Sequence, residues 1–144
     1  METILVSACL LGRCCKYSGG HNRNEAVTAF LRGRHYIPVC PESLVLPAPR
    51  PPVELRGGCV VTEDGRDLTA LYEKGVAETL ARLGGASVTL AILKARSPTC
   101  GSGEIYDGTF SHRRVPGDGL LARALKERRI PVRTEEDIAR LMEG

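Results

Sequence analysis

Short apolar runs that alternate with helix-forming segments constrain the fold of this chain more than any other feature. Val88–Leu93 is a continuous apolar run, as expected for a central strand buried on both faces of a parallel sheet. Ile4–Ala8 is a second, shorter apolar run that ends in small residues. Between them, Asp67–Leu83 carries apolar residues at helical spacing and is followed by Gly84-Gly85, which predicts a helix and its end.

The remaining elements continue this alternation. They are a helix capped by Asn24 that runs to about Arg32, strands at Tyr36–Cys40 and Val60–Thr62, a helix at Leu120–Arg129, a strand at Ile130–Val132 and a last helix that opens at Thr134. The pattern predicts an α/β fold: a small doubly wound, mostly parallel, Rossmann-like sheet with helices on both faces. The 144 residues suffice for one such domain and are too few for two, so we expect residues 1–144 to form a single domain.

Two segments lack a regular pattern. Pro41–Pro52 contains five prolines in twelve residues, which predicts a stiff, extended segment that is neither helix nor strand. Because it begins directly after Cys40 at a predicted strand end, we expect it to line a site. Lys94–Gly119 is long and glycine-rich, and loops of this length in a compact domain are usually functional.

Composition excludes several classes of function. The chain has 42% hydrophobic and 26% charged residues, the balance of a globular protein. It lacks an apolar run near the ~20 residues of a membrane span, and no basic region precedes its first apolar stretch, so we expect a cytoplasmic protein without a secretory signal. A net charge of +3 and 4% aromatic residues argue against nucleic acid and permit a small anionic substrate. The sequence carries no signal for an oligomeric state.

Six cysteines are the unusual feature of the composition. Cys9, Cys40 and Cys100 each come just after a predicted strand. Because the carboxyl ends of parallel strands lie along one edge of a sheet, these thiols can converge although 31 and 60 residues separate them. The other three lie in the loop after the first strand or near the start of another strand: Cys14, Cys15 and Cys59.

The residues alone leave the use of these thiols open. Reduced thiols favour metal binding or catalysis over disulfides. The sequence has no C-x-x-C pair, which disfavours structural zinc and a redox dithiol. Iron–sulfur clusters commonly take four cysteines, and three would leave one iron open as a Lewis acid. The competing interpretation is that each cysteine is a small buried hydrophobic residue.

Further polar residues accompany the three cysteines. Glu42, two residues after Cys40, is either a general base for water or a solvated carboxylate. Ser97–Gly103 surrounds Cys100 with hydroxyls and glycines, which would hold an anion or form an ordinary turn. Single basic residues that are candidate anion contacts are Arg13, Arg50 and Lys94. The histidines lack ligand spacing, and we treat all three as non-ligands: His21, His35 and His112.

Several short motifs occur in order along the chain. They are Ser7-Ala8-Cys9-Leu10-Leu11-Gly12, Cys15-Lys16-Tyr17, Pro38-Val39-Cys40-Pro41-Glu42, Pro49-Arg50-Pro51-Pro52 with Glu54, Gly65-Arg66-Asp67-Leu68-Thr69, Ala91-Ile92-Leu93-Lys94, Ser97-Pro98-Thr99-Cys100-Gly101 and Ile105-Tyr106-Asp107-Gly108-Thr109-Phe110. Together they resemble the thiouracil desulfidase family from Ile4 to about Val132. The ordered set is more specific than any one motif.

This resemblance implies a catalytic 4Fe-4S cluster held by three cysteines, which fall on Cys9, Cys40 and Cys100. It also implies that Glu42 is the acid–base carboxylate and that Ser97 is the catalytic serine. The implied activity is non-redox desulfuration of a thiolated pyrimidine, namely thiouracil, thiouridine or its monophosphate, to the oxo compound. Sulfide is released, and the open iron acts as a Lewis acid. The alternative is a non-catalytic iron–sulfur or metal-binding carrier protein.

The chain also departs from the family pattern. The family's extra first-loop cysteine aligns with Cys15, which we do not count as a ligand, whereas Cys14 and Cys59 are peculiar to this chain. After Cys-Pro-Glu the family usually has Gly-Gly-Leu, and here the loop Ser43–Pro47 is one residue shorter. Thr99 replaces the commoner serine and keeps the hydroxyl.

Overall fold

The computed structural model describes residues 2–143, which are built around a parallel four-stranded sheet. The elements are, in chain order, β1 (Thr3–Ser7), α1 (Glu25–Leu31), β2 (Tyr36–Val39), α2 (Pro41–Val45), β3 (Val53–Arg56), β4 (Cys59–Thr62), α3 (Thr69–Leu83), β5 (Val88–Leu93), β6 (Glu104–Tyr106), β7 (Arg114–Pro116), α4 (Leu120–Glu127), β8 (Val132–Thr134) and α5 (Glu135–Glu143). A short 3-10 turn, Ala8–Leu11, follows β1 directly.

The strand order of the main sheet is β2-β1-β5-β8, and every pairing in it is parallel. Leu5 of β1 pairs with Ile37 of β2 on one side and with Ala91 of β5 on the other. The predicted central position of β5 is confirmed, since it lies between β1 and β8. Two antiparallel hairpins, β3–β4 and β6–β7, stand outside this sheet.

Helices cover both faces of the sheet, because successive strand residues point in opposite directions. Leu5 packs with Val76 of α3 in a core that also includes residues of α4. Its neighbour Val6 packs on the other face with Val27 of α1 and Ile138 of α5. The predicted doubly wound α/β class is therefore confirmed. Each helix within residues 2–143 is too short or too polar to span a bilayer.

Side-chain caps fix two of the predicted helix starts. The Asn24 side chain accepts a hydrogen bond from the Val27 N–H at 3.0 Å, which begins α1. At the start of α5, the Thr134 N–H donates to the Asp137 carboxylate at 2.9 Å, and the Asp137 N–H donates to the Thr134 hydroxyl at 3.3 Å. This reciprocal capping confirms the predicted start of the last helix at Thr134.

The prediction that Pro41–Pro52 contains no helix is wrong. Pro41 begins α2, because proline fits the first helical position, where its missing N–H needs no partner. The short helix packs on α3 at Gly75, where a Cβ atom would overlap the Pro41 carbonyl oxygen. The remaining prolines continue as a non-helical segment as far as β3.

Two further segments differ from their predictions. Lys94–Gly119 is not one irregular loop, since β6 and β7 form a hairpin inside it. The sequence predicts the last strand at Ile130–Val132, but this strand occupies Val132–Thr134. Pro131 lacks the N–H that a strand residue donates, so regular pairing begins after it, while its carbonyl accepts from the Ala91 N–H at 2.9 Å.

Candidate active site

Four cysteines, among them the three predicted to converge, border one cavity of about 580 Å³ at the carboxyl ends of the parallel strands. Cys9 lies in the 3-10 turn after β1, Cys40 directly follows β2, and Cys100 lies in the loop after β5. Glu42 and Ser97 line the same cavity. The structure therefore brings together the five residues to which the resemblance assigns a ligand or catalytic role, because β1 lies between β2 and β5.

Cys15 lies between two of these thiols, a position that the sequence did not reveal. Hydrogen bonding with Cys40 and Cys9 raises the pKa of the Cys15 thiol. The same contacts lower the pKa of Cys9, and they lower the pKa of Cys40 to about 6. Burial raises the pKa of the Cys100 thiol, and negative charge on Cys9 or Cys40 would raise it further. The four thiols thus form one interacting group.

The donor set fits an iron–sulfur cluster. All six cysteines are free, and thiolates are the ligands that such clusters take. Within residues 2–143, no three Cys, His, Asp or Glu side chains are spaced to bind a single metal ion. The three thiols line one cavity instead, and thiolates are the ligands by which a cage of several irons is held. The wall beside them also contains Tyr72, whose hydroxyl is the one buried polar side-chain atom of the described residues without a partner.

Glu42 lies in the first turn of α2 and is held on both carboxylate oxygens. The Thr99 hydroxyl donates to Oε1 at 2.8 Å, while Arg50 donates to Oε2 through Nη2 at 2.8 Å and Nε at 3.2 Å. Thr99 directly precedes Cys100, so its hydrogen bond to Glu42 links the segment that carries Cys100 to the segment that carries Cys40. These partners orient the carboxylate, and neither was assigned this role from the sequence.

Arg50 is buried, and its guanidinium group forms hydrogen bonds to other residues of the protein. Besides Glu42, its guanidinium donates to the carbonyls of Cys15 at 2.8 Å and Leu46 at 3.2 Å. Burial opposes its charge, but the neighbouring carboxylate outweighs this effect and raises the pKa of Arg50. Arg50 therefore braces the wall of the cavity, which differs from the predicted contact with a bound anion.

The structure also shows where the other two predicted anion contacts, Lys94 and Arg13, lie. Lys94 lines the cavity and forms an ion pair with Glu135 at 3.0 Å. Arg13 is exposed and does not line the cavity. Of the three histidines, His112 lines the cavity, whereas His21 and His35 do not; that none of them is a ligand stays a prediction.

Ser97 shapes the loop that carries the third cysteine. Its hydroxyl oxygen accepts from the N–H groups of Thr99 at 3.2 Å and Cys100 at 3.1 Å. Gly101 closes the same turn by donating to the Ser97 carbonyl at 2.8 Å. Because Ser97 is the acceptor in both side-chain bonds, its own proton is not used by them.

Comparison with known proteins agrees with this geometry. Residues 4–137 match the family model of 2-thiouracil desulfurase. The chain belongs to this family. The uncharacterized protein YbbK of Bacillus subtilis (strain 168) is 38% identical over 146 residues, which cover 94% of this chain and 97% of YbbK. Among solved structures, the 4Fe-4S-dependent thiouracil desulfidase TudS is 37% identical, with a TM-score of 0.85 over 99% of this chain and 96% of TudS.

The resemblance read from the motifs is thereby confirmed. The family and the structural neighbour are both described as desulfurating enzymes that act on thiouracil. The match to TudS extends over the parallel sheet and both hairpins, so it includes every segment that borders the cavity.

Proposed function

We propose that the protein removes sulfur from a thiolated pyrimidine, converting C=S to C=O with release of hydrosulfide. The substrate is thiouracil, or thiouridine or its monophosphate. Water supplies the oxygen, the two bonds from carbon to sulfur break, and no oxidation state changes. The single observation that carries the proposal is the convergence of Cys9, Cys40, Cys100 and Glu42 on one cavity. We place the reaction in the cytoplasm, where thiols stay reduced.

In this proposal Cys9, Cys40 and Cys100 hold a 4Fe-4S cluster. When bound, the cluster supplies a Lewis-acidic iron that polarises the thiocarbonyl group. A thione sulfur is a soft ligand, and the thiolate-rich wall is suited to such chemistry. Cys15 is not a ligand in this scheme, and its thiol lies beside Cys9 and Cys40, whose pKa values it lowers.

Glu42 acts as the general base for the attacking water. Each carboxylate oxygen has two lone pairs, so the bonds from Thr99 and Arg50 leave capacity to accept a proton. The same bonds fix the carboxylate, which a base needs to meet water in one geometry. The proton that leaves on hydrosulfide comes from the attacking water, and the Ser97 hydroxyl would pass or steady it while its oxygen remains held by two N–H groups.

The proposal is tested by anaerobic reconstitution with iron and sulfide, followed by incubation with 2-thiouracil and 4-thiouracil. Release of uracil and sulfide in equal amounts supports the enzyme. A protein that takes up a stable, coloured cluster and releases no sulfide from any thiolated pyrimidine is a carrier, and the proposal is then wrong. A colourless protein that cycles between dithiol and disulfide would point to thiol–disulfide exchange.

Replacement of Glu42 by glutamine tests the base. General base assistance contributes about 10²–10⁴-fold, so we expect kcat to fall by that factor while cluster absorbance is kept. Glu73→Gln, which changes an exposed carboxylate on α3, is the matched control. Full turnover by Glu42→Gln would remove Glu42 from the reaction.

A further inference from the structure

The cavity gathers most of the few aromatic side chains of this chain. The sequence has four tyrosines, two phenylalanines and no tryptophan. Four of these six aromatic residues line the cavity: Tyr17, Tyr72, Tyr106 and Phe110. Aromatic faces pack well on flat π-systems, so this concentration beside the thiols suits a planar ring.

Phe110 is presented by a loop with an unusual backbone, residues 107–113 between β6 and β7. Phe110 has a φ of +59° and His112 a φ of +62°, in the left-handed region that bulky side chains rarely adopt. Both side chains line the cavity, and the His112 ring lies edge-to-face against Tyr106 with centroids 6.3 Å apart. Such backbone conformations persist where the surrounding structure fixes them, and they cluster at functional sites.

The contacts that fix this loop come from the neighbouring hairpin β3–β4. Glu54 Oε1 accepts from the N–H groups of Gly108 at 3.0 Å and Phe110 at 3.1 Å. Arg56 Nε donates to the Gly108 carbonyl at 3.1 Å. A Cβ atom on Gly108 would lie 2.5 Å from the Arg56 Cβ, so the two hairpins leave no room for any other residue there. Glu54 therefore sets the place of the Phe110 backbone.

We propose that Phe110 determines specificity by stacking on the planar ring of the thiolated heterocycle, and that Glu54 is the positioning residue that presents it. The identity of the ring as a pyrimidine rests on the proposed function. Recognition of its face does not depend on turnover, because the product uracil has the same flat ring. A stacking wall prefers uracil to 5,6-dihydrouracil, whose ring is saturated and puckered.

The experiment measures binding of uracil and 5,6-dihydrouracil to the cluster-loaded protein by isothermal titration calorimetry. Phe110→Leu keeps an apolar side chain without a ring face, and Phe110→Tyr keeps the face. Glu54→Ala removes the acceptor, whereas Glu54→Gln retains it. The aromatic control outside the cavity is Tyr36→Leu, an exposed position on β2. Circular dichroism and cluster absorbance verify that each variant is folded and loaded.

We expect wild-type protein to prefer uracil, and Phe110→Leu and Glu54→Ala to bind it about tenfold more weakly. In turnover of thiouracil the same variants raise KM more than they lower kcat. Phe110→Tyr, Glu54→Gln and Tyr36→Leu stay within threefold of wild type.

Equal affinity of wild-type protein for the two rings, or undiminished uracil binding by Phe110→Leu, overturns the inference. This result is distinguishable from failure of the proposed function. If the protein binds uracil through Phe110 but releases no sulfide from thiouracil, the ring-binding site is supported and the proposed function is wrong. If wild-type protein and Phe110→Leu turn over thiouracil equally well, the proposed function is supported and the role of Phe110 is wrong.

Discussion

The buried ion pair of Arg50 and Glu42 allows a quantitative test of how the site is built. The side chains are 2% and 15% exposed, and their closest charged atoms are 2.8 Å apart. Arg50→Met removes every bond that the guanidinium makes and leaves the carboxylate with the Thr99 hydroxyl as its remaining partner within residues 2–143. Glu42→Gln is milder, since the amide oxygen still accepts a hydrogen bond.

Removing one partner of a buried ion pair costs about 3–5 kcal/mol of unfolding free energy, because the other charge stays buried and uncompensated. At about 2–4 °C per kcal/mol for a chain of this size, we expect Arg50→Met to lower Tm by about 6–20 °C. The double variant Arg50→Met/Glu42→Gln contains neither charge. Its cost should fall short of the sum of the single costs by at least about 1 kcal/mol.

Urea denaturation of the reduced, cluster-free protein at pH 7, followed by circular dichroism, gives all four corners of this cycle. The exposed pair Arg23 and Glu25, with side chains 55% and 78% exposed, supplies a matched cycle in which coupling should be near zero. If the effects at Arg50 and Glu42 are additive, or if their coupling equals that of the exposed pair, the pair does not brace the cavity wall as described.

Three further changes test the packing around the site. Gly75→Ala should destabilise the protein by about 1–3 kcal/mol, because the new methyl group meets the carbonyl oxygen at the start of α2. The control is Gly85→Ala, where the new methyl group enters open space. Equal urea midpoints for the two variants would contradict the reasoning. Tyr72→Phe removes a buried hydroxyl that has no partner within residues 2–143, so the free energy of unfolding should hold or rise. A loss above about 1 kcal/mol would show that the hydroxyl does make a bond. Two hydrogen bonds from Arg96 lower the pKa of Glu136, so their stabilisation is complete above the ordinary value of 4.5 and lost as the pH falls through the folded pKa. Glu136→Gln should therefore cost about 1 kcal/mol at pH 7 and progressively less below pH 4.5 in urea melts, and a cost independent of pH would contradict the ion pair.

The pattern of apolar residues predicts the sheet, and the position of three cysteines after predicted strands predicts that their thiols converge. A continuous apolar run such as Val88–Leu93 has few alternatives to a central strand, and residues that follow parallel strands must meet at one edge. The sequence alone therefore suffices to group Cys9, Cys40 and Cys100. Their role as ligands remains a prediction.

What the sequence could not supply depends on contacts between distant segments. Proline density in Pro41–Pro52 argues for extended chain, but tertiary packing on Gly75 stabilises α2. The ion pair between Arg50 and Glu42 joins a loop to the first turn of α2. An arginine in the sequence can either pair with a carboxylate of the protein or contact a bound anion, and the residue type alone does not say which. The bond between Thr99 and Glu42 spans 57 positions, so no local pattern reports it.

The order of maturation follows from the long chain distances between the three strand-end thiols. A zinc finger gathers metal with closely spaced ligand pairs and folds as it does so. Here Cys9, Cys40 and Cys100 become neighbours only after β1 has paired with both β2 and β5. We expect the apoprotein to be a folded receptor, into which a cofactor is delivered late and from which it can be lost to oxygen and restored while the polypeptide keeps its shape.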